Sequence, residues 1–280
     1  MESKVLPKIP FEREEDLHNL ELLGSADFIL FMAGNQFMVM PELIAAFQEE
    51  CPEAGNIFYE TLPPGLELKQ ILAGKAVFQE QVIEVRPDVY TSVSEMSMRQ
   101  LQEAGMIEPG GYSVYLHNRI VLMVPEGNPA GITCVADLGR EEVRISQPNP
   151  ENEDLGCHVC NMYRHAGGYD LVDAIMEDKV DDGTTLLTEV HHRETPEGII
   201  SGQVDVGPVW ATEYAHARRE GLPVEVVEPG EELDQRDRVG YYICRLTDAP
   251  NPENGDRFVE FITGPRAQAI YASYGFVPCG

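Results

Sequence analysis

The segment RPDVYTSVSEMSMRQLQEAGMI (86–107) decides the fold class. It starts with a short apolar strand that ends in small hydroxyl residues, and it continues as an amphipathic helix. NRIVLMVPEGNPAGI (118–132) adds an apolar strand and a Gly-Asn-Pro turn, and FVEFITGPRAQAIYASYGF (258–276) adds a closing helix near the C-terminus. This order of elements predicts an α/β fold in which polar loops follow the strands.

The same order of strand, turn and helix occurs twice before that segment. An apolar strand over 28–32 ends in the turn 33–36, and Pro41 opens a helix. A second strand over 56–61 runs through the turn 62–65 into another helix. In open α/β sheets ligands bind where strand carboxyl ends meet helix N-termini, so these turns are candidate ligand loops.

Two apolar stretches indicate that the chain passes twice between two lobes. Residues 112–124 are predicted to form one long strand that crosses out of the first lobe, and residues 239–245 to form the strand that returns. The hinge crossings are expected near Gly111–Tyr115 and Arg238–Tyr241. The predicted division is an N-terminal leader over 1–26, lobe one over 27–115 plus 238–280, and lobe two over 116–237. We expect few ordered contacts from the acidic leader.

The three quoted segments together resemble the type II periplasmic solute-binding proteins, and among them the molybdate/tungstate-binding branch of ABC importers. The resemblance covers roughly residues 27–278. It implies a two-lobed fold with two hinge crossings and a ligand buried in the cleft between the lobes. It further implies a small anion as ligand, an ABC permease or a sensor protein as partner, a monomer, and no cofactor.

Charge restricts the classes of ligand. The chain has 48 acidic and 20 basic residues, for a net charge of −28. Nucleic-acid binding is not expected, because phosphate recognition needs a basic patch that releases counterions. An acidic chain does not steer an anion towards itself either. Any oxyanion site must therefore rely on local hydrogen-bond donors and helix N-termini.

Location is left open by the sequence. No apolar run is long enough to cross a bilayer, and the first residues lack the apolar region of a secretory signal. The resemblance implies a periplasmic or cell-envelope exterior location, with the signal absent from this chain. A cytoplasmic location is the alternative.

The resemblance supplies ten candidate ligand contacts. Relatives carry a Ser where this chain has Asn35, and Asn adds an amide donor and an acceptor. Pro63 and Pro64 replace residues of a Ser- or Gly-rich loop, and because proline lacks an N–H we expect weaker molybdate binding than in relatives. The candidate contacts are Asn35, Gln36, Gly65, Thr91, Ser92, Leu155, Gly156, His192, Arg193 and Trp210.

The hydroxyls of Thr91 and Ser92 have two interpretations. Hydroxyls just before a helix usually cap it, and they are also suitable donors to an anion. In the second half, relatives supply a backbone donor in the region of Leu155 and Gly156. His192 and Arg193 lie at a predicted helix N-terminus, which favours an anion, although paired histidines are also common on surfaces.

Trp210, the single tryptophan, stands where relatives commonly have a tyrosine. Its indole keeps an aromatic wall and donates an N–H. We expect Asn35 from lobe one, and His192 and Trp210 from lobe two, to contact one ligand.

Six cysteines are spread along the chain without a dense disulfide framework. The motif CHVC (157–160) is half of a zinc-site spacing, and no second half follows it. The favoured interpretation is a helix start with both thiols turned inward. A weak alternative is a soft-metal site formed by Cys157, Cys160, His191 and His192.

Signatures of common enzymes are missing from the sequence. It contains no Gly-x-Ser-x-Gly, no phosphate-binding Gly-x-x-x-x-Gly-Lys and no His-Glu-x-x-His. With no enzyme signature against it, the resemblance implies a solute-binding protein that captures a molybdate-like oxyanion or a related small anion for an ABC importer. An intracellular ligand sensor or metal-binding protein with the same fold is the alternative.

Overall fold

The computed structural model describes residues 6–84, 86–151, 154–189 and 194–279. The strands are β1 (Leu17–His18), β2 (Phe28–Phe31), β3 (Ile57–Glu60), β4 (Ala76–Phe78), β5 (Gln81–Ile83), β6 (Val89–Ser92), β7 (Tyr112–His117), β8 (Ile120–Pro125), β9 (Ile145–Gln147), β10 (Thr185–Leu187), β11 (Gly207–Trp210), β12 (Val224–Val227), β13 (Gly240–Arg245) and β14 (Val277–Pro278). The α-helices are α1 (Met40–Glu50), α2 (Pro64–Ala73), α3 (Glu95–Glu103), α4 (Asp154–Asp173), α5 (Lys179–Asp181), α6 (Glu194–Ile200), α7 (Ala211–Arg219), α8 (Pro252–Thr263) and α9 (Pro265–Ser273). None of the described helices combines the length and the apolar character needed to span a bilayer.

The chain divides into two compact units. Unit one comprises the described residues of Met1–His117, Gly240–Ser273 and Pro278–Gly280, and unit two comprises those of Asn118–Val239 and Tyr274–Val277. The predicted lobe boundaries fall two residues before the first two of these boundaries. The short C-terminal stretch within unit two was not anticipated.

Unit one is built on a mixed sheet in which β1, β3, β2, β6, β13 and β7 are successive neighbours. β2 runs parallel to both β3 and β6, whereas β13 is antiparallel to β6 and β7. Every residue of β2, β3 and β6 is buried, which is the usual state of a parallel strand covered on both faces. The carboxyl ends of these three strands therefore lie at one edge of the sheet.

An aromatic cluster packs helices α1 and α8 against β2. The Phe47 ring lies 5.7 Å from that of Phe28 and 5.1 Å from that of Phe258, in tilted and edge-to-face arrangements. All three side chains are fully buried. Such contacts add to the burial of apolar area and fix β2 and α1 against α8.

The expected leader is part of unit one over its described residues. β1 pairs antiparallel with β3, and Ile9 and Leu17 are buried in the core. The Ile9 N–H also donates to the Val77 carbonyl over 2.9 Å. The expectation of few ordered contacts is therefore wrong here, because β1 extends the sheet beyond β3 and two apolar side chains of the segment are buried.

Unit two contains an antiparallel sheet with β8 between β11 and β12, and a parallel pair of β9 and β10. The predicted long strand over 112–124 is interrupted after β7. At the break, the Asn118 side chain accepts the Arg119 N–H over 2.9 Å and donates to Thr212 Oγ1 over 3.1 Å. A local side-chain bond therefore replaces the strand ladder at this point.

Helix α4 starts earlier than the predicted start at Cys157. It contains non-helical backbone at Gly167 and Gly168, where Gly168 has φ 73°. The positive φ is easily reached by glycine, so the pair separates two helical segments within α4.

Candidate ligand site

Unit one brings two of the predicted ligand loops into direct contact. Gly34 opens a short 3₁₀ helix after β2. A Cβ atom at this position would lie 2.9 Å from the Thr61 carbonyl oxygen and 3.1 Å from that of Leu62. Because these are backbone atoms that cannot turn aside, only glycine allows the loops after β2 and β3 to approach this closely.

Asn35 holds an unsatisfied buried polar atom at the carboxyl end of β2. Its Nδ2 donates to the Tyr241 hydroxyl over 2.6 Å. Its Oδ1 is buried and has no hydrogen-bond partner in the structure. A buried amide atom without a partner is costly, so this residue is a strong candidate for contact with a bound molecule.

Gln36 is bound within the protein. Its Oε1 accepts hydrogen bonds from the hydroxyls of Tyr115 and Tyr271, each at 2.7 Å, and its Nε2 donates to Thr91 Oγ1 over 3.2 Å. The side chain is fully buried. Burial also raises the pKa of both tyrosines, so their hydroxyls remain neutral donors. Gln36 therefore supports the loop that carries Asn35.

The hydroxyls of Thr91 and Ser92 do not cap helix α3. The residue at its N-cap is Ser94, which forms no side-chain cap bond. Thr91 Oγ1 instead accepts the Ala33 N–H over 2.8 Å, and Ser92 Oγ accepts the Ser94 N–H over 3.1 Å. The capping interpretation is wrong because Thr91 is buried and joins β6 to the turn after β2. Both candidates lie at the same sheet edge as Asn35.

The loop over 61–65 enters helix α2 at Pro64, and Pro63 occupies the N-cap position. The Tyr90 hydroxyl donates to the Pro64 carbonyl over 2.9 Å. Gly65 is exposed, and no atom lies within 4 Å of a Cβ built there. Packing against neighbouring atoms therefore does not explain why a glycine occupies position 65.

Two buried glutamates beside this loop were missed by the sequence reasoning. Glu60 ends β3 and Glu67 lies in α2, and both side chains are fully buried. Burial raises the pKa of each carboxyl well above its usual range, and the proximity of the two groups adds to the shift of Glu67. Each glutamate follows an apolar residue in a predicted strand or helix. Because an acidic residue at such a position normally faces solvent, no local signal marks either one as buried.

In unit two, Trp210 ends β11 and is 4% exposed. The centre of its ring system lies 5.9 Å from that of His158, in an edge-to-face arrangement. The His158 carbonyl accepts a hydrogen bond from Gln235 Nε2 over 2.7 Å, and Gln235 Oε1 accepts from Asn161 over 2.7 Å. The first turns of α4 are thus fixed beside the indole.

Leu155 and Gly156 lie in the first turn of α4 and are buried. A Cβ at position 156 would lie 2.5 Å from the Pro150 nitrogen and 2.6 Å from the Pro148 carbonyl oxygen. Glycine is required because the helix start and the loop after β9 are in backbone contact. This close contact places the helix N-terminus beside the loop after β9. The backbone donor that the resemblance implies at Leu155 and Gly156 stays a prediction.

His191, His192 and Arg193 lie outside the described residues. The six cysteines are free, and Cys157 is exposed while Cys160 is partly buried. The expectation that both thiols of CHVC turn inward is wrong for Cys157, which lies on the outer face of α4. Among the described residues, no group of three or more His, Cys, Asp or Glu side chains is arranged to hold a metal ion.

Comparison with known proteins agrees with this architecture. A sulfate-binding protein of Synechococcus elongatus is 26% identical over 251 residues, which cover 84% of this chain and 70% of that protein. A putative ABC transporter substrate-binding lipoprotein of Bacillus subtilis is 22% identical over 233 residues, covering 83% of this chain and 84% of that protein.

Among solved structures, the substrate-binding domain of a putative molybdenum ABC transporter from Clostridium difficile has a TM-score of 0.69 and 17% identity, covering 90% of this chain and 99% of that one. The Azotobacter vinelandii periplasmic molybdate-binding protein has a TM-score of 0.67 and 18% identity, with 90% and 100% covered. A family model described as bacterial extracellular solute-binding protein matches residues 28–277. This chain therefore belongs to the bacterial extracellular solute-binding protein family, and it shares its fold with the solved binding proteins named here.

Proposed function

We propose that this chain binds a tetrahedral oxyanion of the sulfate and molybdate class and delivers it to the permease of an ABC importer. The observation that carries the proposal is the unpartnered buried amide oxygen of Asn35. A carboxamide turned by 180° about its last bond fills the same space. In that orientation Oδ1 accepts the Tyr241 hydroxyl, and Nδ2 becomes a buried donor for an anion.

The surroundings of Asn35 are suited to an ionised oxyanion. Ser92 adds a neutral hydroxyl at the same sheet edge, whereas Thr91 and Gln36 are bound within the protein and support the turn that carries Asn35. Neutral donors recognise an anion by geometry, in a site shielded from water where each hydrogen bond counts for more than it does in water. Because the chain as a whole carries a net charge of −28, the affinity must come from these local donors.

The proposal also covers the biological setting. The protein acts as a monomer outside the cytoplasmic membrane, holds no cofactor and catalyses no reaction. The family membership and the relatives named above support transport rather than catalysis.

Isothermal titration calorimetry of the purified protein with sulfate, molybdate, tungstate and phosphate tests the proposal. We expect one of these anions to bind at one site per chain, with molybdate weakened by the loss of N–H donors at Pro63 and Pro64. Metal analysis of the same preparation is the counterpart test of the metal-binding alternative. Stoichiometric zinc, iron or copper together with no anion binding would overturn the proposal.

Two matched asparagine variants locate the site. Asn35 follows the carboxyl end of β2, whereas Asn56 is exposed and precedes the amino end of β3. Asn35→Ala should weaken anion binding about fivefold to a hundredfold, which corresponds to the loss of one buried donor. Asn56→Ala should leave the dissociation constant unchanged. Equal effects of the two substitutions would place the anion elsewhere.

A further inference from the structure

The loop after β3 rests on a buried group of polar side chains that anion binding alone does not explain. Glu60, Glu67 and Gln70 are all fully buried. Gln70 Nε2 donates to Glu60 Oε1 over 2.6 Å, and Glu67 Oε1 accepts the Leu62 N–H over 3.2 Å. One oxygen on each of the three side chains has no partner: Glu60 Oε2, Glu67 Oε2 and Gln70 Oε1.

Two of these three oxygens, Glu60 Oε2 and Gln70 Oε1, can satisfy each other. The amide of Gln70 already donates to one oxygen of Glu60, which leaves the other oxygen of each group without a partner. A carboxylic acid and a carboxamide can join through two parallel hydrogen bonds that close one ring. A single proton on Glu60 Oε2, donated to Gln70 Oε1, therefore satisfies both atoms at once.

We propose that Glu60 carries a proton and forms a cyclic acid–amide pair with Gln70, and that this pair positions the loop over 61–64 beside the anion site. The part that concerns the anion site rests on the proposed function. Glu60 and Gln70 are positioning residues in this proposal, since neither one contacts the ligand.

The charges around the pair favour the protonated form. The carboxyls of Glu60 and Glu67 face each other. The groups that face them from neighbouring elements are Asp16, Tyr90 and Tyr115. His18 bonds to Thr61 Oγ1 over 3.1 Å, and burial lowers its pKa, which favours the uncharged ring. Among the described residues, no Lys or Arg forms an ion pair with either glutamate. An ionised Glu60 would thus be a buried charge without a counter-charge.

The backbone connects the pair to the site. The Glu60 carbonyl accepts the Met32 N–H over 2.9 Å, and the next residue, Thr61, donates its N–H to the Asp16 carbonyl over 2.9 Å. The Thr61 carbonyl is also the atom that Gly34 approaches closely. Ionisation of Glu60 would break one of the two ring bonds. It would thereby push the loop after β3 away from the loop after β2, which carries Asn35.

The sign of the pH dependence follows from linkage. Glutamate in the unfolded chain has a pKa of about 4.3, and burial raises the folded-state pKa of Glu60 well above that value. The folded state therefore holds a proton that the unfolded chain has lost. The stabilisation is complete below the unfolded-state pKa, and it decreases as the pH rises through the folded-state pKa.

Thermal unfolding without any anion, measured from about pH 5 to pH 9, tests the acid–amide pair. Glu60→Gln keeps a donor where the proton was and cannot ionise, so its melting temperature should fall less steeply with pH than that of the wild type. Glu60→Ala should be destabilised at every pH, and the exposed Glu103→Gln should follow the wild-type profile. An unchanged slope in Glu60→Gln, or a loss as large as that of Glu60→Ala, would overturn the proposal.

Infrared spectroscopy reports the protonation state of Glu60 independently of folding stability. At neutral pH, the difference spectrum between the wild type and Glu60→Gln should contain the carbonyl band of a neutral carboxylic acid. A carboxylate band in its place would mean that Glu60 is ionised.

In the calorimetric test, anion affinity of Glu60→Gln should decline less with pH than that of the wild type. Equal declines would show that Glu60 does not position the loop beside the anion site. If the unfolding and infrared results hold and no oxyanion binds, the pair stands and the proposed function fails.

Discussion

Asn35 donates its side-chain amide to the Tyr241 hydroxyl over 2.6 Å, although 206 positions separate the two residues in the chain. Asn35 lies in the turn after β2, and Tyr241 lies in β13, the strand by which the chain returns to unit one. The contact therefore couples the return strand to the candidate anion site. In either orientation of the Asn35 amide, one of its two polar atoms bonds to Tyr241 and the other is left for a ligand.

Tyr241→Phe removes the hydroxyl that orients this amide. We expect anion affinity to fall by about fivefold to tenfold, because one hydrogen bond of a buried group is lost. The neighbouring Tyr242 points to the opposite face of the strand and packs beside Tyr112, with 6.2 Å between the ring centres. Tyr242→Phe is thus the matched control. Calorimetric titrations in which both variants bind like the wild type would show that Tyr241 does not orient Asn35.

Gly34 and Gly65 provide opposite predictions for one substitution. At position 34 a methyl group meets the Thr61 carbonyl at 2.9 Å, so Gly34→Ala should destabilise the fold by about 1–3 kcal/mol and weaken anion binding. At position 65 the space is open and the backbone is helical, so Gly65→Ala should stabilise the fold by about 0.4–1 kcal/mol. Urea unfolding measures both changes. Loss of stability in Gly65→Ala would show that this helix start needs a glycine.

Sequence patterns predicted the local elements around the site with good accuracy. Pro41 marks the start of α1 to within one residue, and the apolar run that starts at Phe28 is β2. Each of these signals lies within a few neighbouring residues. The break at Asn118 was missed because its partner Thr212 is 94 positions away, and apolar residues continue on both sides of it.

The support of the site was harder to predict for the same reason. Asn35, Thr91 and Ser92 could be named because the family resemblance points to them and each lies at the carboxyl end of a strand. Tyr241, the partner of Asn35, and Tyr271, a partner of Gln36, lie in elements whose apolar pattern explains a tyrosine equally well. Glu60 was not a candidate, since no local signal shows that Gln70 faces it inside the core.

Lys179 offers a test of stability in unit two that is separate from ligand binding. The side chain is 5% exposed, and its Nζ donates to the carbonyls of Arg140, Glu141 and Val143 at 2.9, 3.2 and 2.7 Å. Lys179→Met leaves these acceptors without a donor, so the free energy of unfolding should fall by about 1–3 kcal/mol. The exposed Lys69→Met is the control. Equal urea midpoints for the two variants would mean that water replaces the ammonium group at no cost.

His192 and Trp210 are two of the predicted ligand contacts in the second half of the chain, and both remain predictions. Trp210 is buried beside His158, and a buried indole that loses its ring leaves a cavity, so Trp210→Phe is a milder probe than Trp210→Ala. We expect His192→Ala and Trp210→Phe each to weaken anion binding by about fivefold to a hundredfold. Circular dichroism checks that the variants fold. If neither dissociation constant changes, these two contacts implied by the family resemblance do not exist in this protein.

The net charge of −28 predicts an unusual salt dependence of anion capture. A negatively charged surface repels an approaching anion, and salt screens that repulsion as the Debye length shortens from about 30 Å at 0.01 M to about 8 Å at 0.15 M. The association rate constant should therefore rise with added potassium chloride, whereas a site that attracts anions through basic residues would show a fall. Stopped-flow fluorescence of Trp210 measures the rate, and the dissociation rate from the same traces reveals any competition by chloride at the site. A rate constant that falls with salt would mean that local positive charge, rather than neutral donors, controls the approach of the anion.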